Sequence, residues 1–251
     1  MSQAFITKRT GSTAITFNNF SGLIKQDNAT ALSEVRSSLS ATTVGDYALF
    51  GGGYSGTNYS STVDSYNTSL IRTTPTALSE ARYALVATTV GNYALFGGGD
   101  SPSGRSSTVD AYNQSLTRTT PTTLSVGRTG ISATTIGYYA LFGGGDNSYQ
   151  SAIVDAYGQS LTRTTPTTLK VARHDLAATA VGGYALFGGG RVTSGYSSTV
   201  DAYHYTNTFQ IYPGMTYKFN GGSEQTSTTF QEIQVTPPIT GYIKIKNTTI
   251  Y

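Results

Sequence analysis

Apolar residues along this chain come in short runs that end at glycine. Residues 83–90 (YALVATTV) are small and β-branched, as in a strand covered on both faces. A Gly91-Asn92 pair follows, then a second apolar run, Tyr93 to Phe96, which stops at three glycines. Glycine between two such runs is hairpin chemistry, because it takes a positive φ without steric cost. After a polar loop, 100–106, the pattern predicts a third strand from Ser107 to Tyr112, a turn at Asn113 to Ser115, and a fourth strand from Leu116 to Thr120. Pro121 ends the sheet. Helix signals are nearly absent, since glycine, threonine and β-branched residues dominate.

The same pattern returns at a fixed interval. The string Tyr-Ala-Leu-Phe-Gly-Gly-Gly begins at Tyr47, Tyr93, Tyr139 and Tyr184, at spacings of 46, 46 and 45 residues. Four antiparallel strands in about 46 residues fit the blade of a β-propeller. One such sheet cannot bury both faces, whereas sheets packed side by side can, which is why the unit must repeat. A solenoid is the rival architecture, with repeats that are usually shorter.

These units resemble the kelch repeat. The matching positions are the glycine pairs Gly51-Gly52, Gly97-Gly98, Gly143-Gly144 and Gly188-Gly189; the third-strand tyrosines Tyr66, Tyr112, Tyr157 and Tyr203; and the arginines Arg36, Arg82, Arg128 and Arg173 that open the units. The likeness covers about residues 36–204 and implies an all-β propeller. The fourth-strand tryptophan usual in that family is missing; Arg72, Arg118 and Arg163 stand near its place.

Residues 12–36 align with 107–128 and supply a third and fourth strand without the first two. The missing inner pair is expected from Phe230 to Thr236 and Gly241 to Lys246, giving five blades, one of them a composite of both chain ends. In this division residues 1–11 are an attachment segment and 12–211 the propeller. Residues 212–251 complete the ring or form a small β module of their own.

Composition narrows the chemistry. The chain of 251 residues has no cysteine and two histidines, which excludes a thiol nucleophile and leaves little for a metal site. No cofactor and no metal are expected. Only 12% of residues are charged and the net charge is +3, too weak to argue for nucleic acid or an acidic membrane. No apolar stretch approaches the length of a membrane span, and the first eleven residues lack the apolar segment of a secretion signal.

Comparing the units with one another separates constant from variable positions. The framework ATTVG-x-YALFGGG, STVDAYN and LTRTTPTTL hardly changes. Variation gathers in the loop after the glycines (54–60, 100–106, 146–150, 191–197) and in the pair after each opening arginine (Ser37-Ser38, Tyr83-Ala84, Thr129-Gly130, His174-Asp175). Strands alternate in direction, so both sets are expected on one face. The candidate ligand-binding residues there are Tyr54, Tyr59, Tyr83, Asp100, Arg105, Asp146, Tyr149, His174, Asp175, Arg191 and Tyr196. Tyrosine offers an apolar ring with a polar rim and suits sugars or protein surfaces, although in Gly/Ser loops such residues also serve as plain turns. The aspartates Asp64, Asp110, Asp155 and Asp201 recur once per unit. They are expected to be structural, bonded to backbone or to a neighbouring arginine.

Three function classes follow. The ends MSQAFITKRTG and PPITGYIKIKNTTIY resemble those of tail or baseplate-associated proteins of phages and prophages of Gram-positive bacteria. That resemblance implies a non-catalytic virion tail protein, assembled in the host cytoplasm. Its partners would be other tail proteins and a host-surface glycan or protein. A kelch-type protein interaction module outside any virion is the alternative. An enzyme is the third class; a glycosidase would need a paired carboxylate site, which the once-per-unit aspartates do not make.

Overall fold

Each period folds into an antiparallel meander of short strands. The structure, a computed structural model, describes residue 25, residues 29–236 and residues 240–245. The first sheet consists of Ser40–Val44, Tyr47–Gly51, Val63–Tyr66 and Arg72–Thr73. The second holds Val86–Val90, Tyr93–Gly97, Val109–Asn113 and Arg118–Thr119; the third Ser132–Ile136, Tyr139–Gly143, Val154–Gly158 and Arg163–Thr164. The fourth has three strands, Ala177–Val181, Tyr184–Gly188 and Val200–His204. Among the described residues there is no helix, so the all-β expectation holds.

Local chemistry sets these boundaries. The first hairpin of each sheet closes through Gly45, Gly91, Gly137 or Gly182, all at φ 51–54°. This tight loop fixes the register, in which Val90 faces Tyr93 and Ala87 faces Phe96. The turn into the fourth strand is held by Asn113, whose Oδ1 accepts from the backbone N–H of Ser115 and Thr117. Leu116 takes a positive φ of 58° there. That strained residue, expected to begin the fourth strand, instead belongs to the turn, and only Arg118 and Thr119 pair.

The hydrophobic core lies between sheets. Val44, Leu49, Val63 and Leu78 from the first unit pack with Leu85, Ala94, Phe96 and Tyr112 of the second. The same set recurs between the second and third sheets and between the third and fourth. The first strands stand side by side, with Ser40–Val44 against Val86–Val90, then Ser132–Ile136, then Ala177–Val181. Close approach depends on glycine. A Cβ on Gly97 would lie 2.8 Å from the Phe142 ring, and Gly51 and Gly143 stand in the same relation to Phe96 and Phe187.

Buried ion pairs tie each meander together. Arg82, Arg128 and Arg173 are fully buried. Arg82 donates to the carbonyls of Phe96, Gly98 and Thr108 and to Asp110. Burial lowers its pKa, and the Asp110 charge works against that. The recurring aspartates therefore sit where the sequence placed them, beside arginine. Tyr112 adds a tether, its hydroxyl donating to the carbonyl of Thr76 at 2.7 Å.

The C-terminal strands pair differently from expectation. Gln231–Val235 runs against Asn207–Ile211, and Gly241–Ile245 against Met215–Phe219, which also carries Gln225–Thr226. The two segments expected to sit side by side as an inner pair thus belong to separate sheets. Of the half unit expected from residues 12–36, residues 12–24 and 26–28 fall outside the described residues, as does the attachment segment 1–11; residues 29–36 form no strand.

Candidate functional site

The two variable sets meet in every sheet. The residue after each opening arginine bridges the residue after each glycine triplet: Ser37 with Tyr54, Tyr83 with Asp100, Thr129 with Asp146, and His174 with Arg191. Each bridge carries two backbone hydrogen bonds, for Tyr83 and Asp100 at 3.0 and 2.9 Å. The next residue (Ser38, Ala84, Gly130 or Asp175) has a φ of 51–59° and swings the chain into the first strand. The first strand is therefore shorter than the sequence pattern suggests, and Tyr83 stands outside it on the bridge.

Contacts between neighbouring units join these bridges into one edge. Tyr54, Tyr59 and Tyr83 form a cluster across the first and second units, with ring centroids 5.2 to 5.8 Å apart. The Asp100 charge, followed by slight burial, raises the Tyr83 hydroxyl pKa. Arg105 of the second unit meets Asp146 of the third at 2.5 Å and reaches Ser148 Oγ at 3.5 Å. Thr193 of the fourth unit donates to Gln150 of the third at 3.0 Å. At the far end His174 Nε2 lies 3.6 Å from Asp175, and Arg191 is 4.0 Å from the same carboxylate. The Arg191 guanidinium also sits 5.9 Å above the Tyr196 ring. Tyr149 and Tyr196 are the most open, at 79% and 82% exposure.

All eleven sequence-selected residues thus lie along this edge, in three clusters. One is aromatic (Tyr54, Tyr59, Tyr83, with Asp100), one is built on Arg105 and Asp146, with Tyr149 exposed in the same loop as Asp146, and one holds His174, Asp175, Arg191 and Tyr196. The sequence selection missed Ser148, Gln150 and Thr193, which make the links between units. Their signal was position, since all three stand in the variable loops. Asp64, Asp110 and Asp155 are fully buried in arginine pairs and contribute nothing here.

The edge offers rings, amphoteric hydroxyls and charges of both signs. A cavity of about 330 Å³ lies instead at the opposite end of the third and fourth sheets, lined by residues including Ile136, Tyr139, Tyr203 and His204. None of the variable residues lines it. Among the described residues no group of three or more His, Asp or Glu is gathered to hold a metal, and no helix is long and apolar enough to cross a membrane. No family model matches the chain, and no curated protein matches it in sequence.

Proposed function

We propose that this chain is a non-enzymatic recognition protein of a phage tail or baseplate: a kelch-like β-propeller that holds a host-surface glycan on its variable edge. The supporting observation is the joining of unit-specific side chains into a continuous band above a nearly constant framework. Sugars present apolar C–H faces beside hydroxyls. The Tyr54, Tyr59 and Tyr83 cluster next to Asp100, and the Arg191 and Tyr196 pair next to Asp175, supply complementary apolar and polar groups. An edge that spans several units suits an extended polymer that touches more than one of them, so that modest contacts add up. The virion setting rests on the resemblance of the two chain ends.

The test is binding of purified chain to cell-wall polysaccharide and to a glycan array. Tyr83→Ala, Tyr149→Ala and Tyr196→Ala should each weaken binding by roughly tenfold, the worth of one aromatic contact of about 1–1.5 kcal/mol. Unchanged binding in all three overturns the site. Tyrosine and arginine are also the residues that dominate protein interfaces. Binding abolished by protease treatment of the host surface, and not by glycosidase, would favour the protein-binding module instead.

A further inference from the structure

We infer that the open face of the fourth sheet receives the first sheet of a second copy of this chain. Inside one chain the same junction is made three times. A second-strand phenylalanine covers the first glycine of the preceding triplet, as Phe96 covers Gly51. A leucine or isoleucine covers the second glycine, as Ile131 covers Gly98. The third glycine donates its N–H to the carbonyl of the next opening arginine, Gly53 to Arg82, Gly99 to Arg128 and Gly145 to Arg173, each at 2.9 Å.

The fourth sheet keeps every receiving element, and among the described residues nothing lies on it. Among the described residues a Cβ on Gly188 would meet only Val200, at 3.5 Å, and one on Gly189 only the Ser197 carbonyl, at 3.8 Å. Val181 and Val200 are 62% and 60% exposed, whereas Val90, Val109 and Val154 at the matching positions are fully buried. Among the described residues Gly190 N–H has no arginine carbonyl before it.

The first sheet keeps the inserting elements. Phe50 and Leu39 are partly exposed, while Phe96, Phe142 and Phe187 are fully buried and Leu85, Ile131 and Leu176 nearly so. The strand hydroxyls match as well. Thr42 pairs with Thr89, and Thr88 with Thr135, at 2.8 Å across successive junctions; the two positions left over for a further junction are Thr179 and Thr43, both exposed.

The described strands of the C-terminal part are engaged elsewhere. Gln231–Val235 and Gly241–Ile245 are paired within the C-terminal sheets. Residues 12–36 align in sequence with a third and fourth strand, and so lack the first- and second-strand positions from which each junction takes its leucine and phenylalanine. A second copy brings both residues in a folded sheet, and a head-to-tail contact of this kind closes a ring or extends a row.

Sedimentation and light scattering at tens of micromolar should give twice the single-chain mass or more. Gly188→Leu fills space that is free in one chain and blocks Phe50 of the next; Phe50→Ser removes the insert. Both should shift the mass to that of one chain with an unchanged far-UV spectrum. Because the chain has no cysteine, a mixture of Thr43→Cys chains and Thr179→Cys chains should cross-link between molecules under a short dithiol-reactive reagent. A monomeric wild type, an oligomer that survives Gly188→Leu, or a mixture of the two cysteine chains that yields no cross-linked pair overturns the inference.

Discussion

Arg118 Nη1 donates to Asp110 Oδ1 across 2.9 Å, and the other oxygen of that carboxylate belongs to Arg82. One buried anion is thus held between a cation from its own fourth strand and one from the segment that opens the sheet. Asp155 stands likewise between Arg163 and Arg128, and Asp64 between Arg72 and Arg36. Among the described residues the fourth sheet has three strands, and Asp201 there, 14% exposed, has Arg173 as its one cationic partner. The fourth-strand arginines therefore have a definite task, the neutralisation of a carboxylate that would be costly to bury singly.

Removal of Asp110 should be severe. Asp110→Ala leaves Arg82 without its counter-ion in a fully buried setting, for a loss of about 3–5 kcal/mol. Asp201→Ala should cost clearly less, because water reaches that carboxylate. Urea denaturation of the two variants measures both; equal losses would refute the double-cation account.

Alkaline pH should destabilise the protein through its third-strand tyrosines. Burial, then the Asp201 charge, pushes the Tyr203 pKa up to about 12, and burial followed by Asp110 or Asp155 raises Tyr112 and Tyr157 as well. An unfolded tyrosine ionises near pH 10, so folding favours the protonated ring. That contribution is complete below about pH 10 and fades as pH climbs through the folded value. Thermal melts between neutral pH and about pH 12, followed by phenolate absorbance, should show the decline, and Tyr203→Phe should lessen it.

Two glycines of identical sequence context should respond in opposite ways to the same change. Gly97→Ala forces a methyl against the Phe142 ring and should cost about 1–3 kcal/mol. Gly188→Ala meets ordinary contact only and, in dilute solution, should be neutral or stabilising by up to about 1 kcal/mol. Calorimetry of the two variants separates them.

The Arg105 and Asp146 pair should matter for binding more than for folding. Both side chains are in contact with solvent, at 36% and 17% exposure. Such a pair contributes about 1 kcal/mol or less. Arg105→Ala should leave the melting temperature within a few degrees while changing affinity for the edge ligand, as read by calorimetry.

Much of this was readable in the chain, and the exceptions share a cause. The interval of the YALFGGG string predicted separate sheets, and the alternation of constant and variable stretches predicted which residues share an edge. What failed was pairing in the tail: alternation in QEIQV marks a strand but carries no information about its partner, which is decided by distant residues. The break between Tyr83 and the first strand was also missed, because Ala84 gives no hint of a left-handed backbone. Gly130 at the same place in the third unit was the available signal. The joins between neighbouring units, such as Thr193 to Gln150, needed coordinates, since nothing local relates residues 43 positions apart.

The stretch from Thr76 to Arg82 is laced to both its neighbours: Leu78 and Arg82 donate backward to the carbonyls of Ser61 and Ser60, while Thr76 and Ser79 receive Tyr112 and reach Asp110 ahead. The array therefore has no seam at which it divides cleanly. A cut anywhere strands half of a clasp, yet removing or adding one whole period returns every clasp to a mate. Molecules of this design can grow or shrink in steps of one full stride, and any other change of length leaves a sheet unfastened.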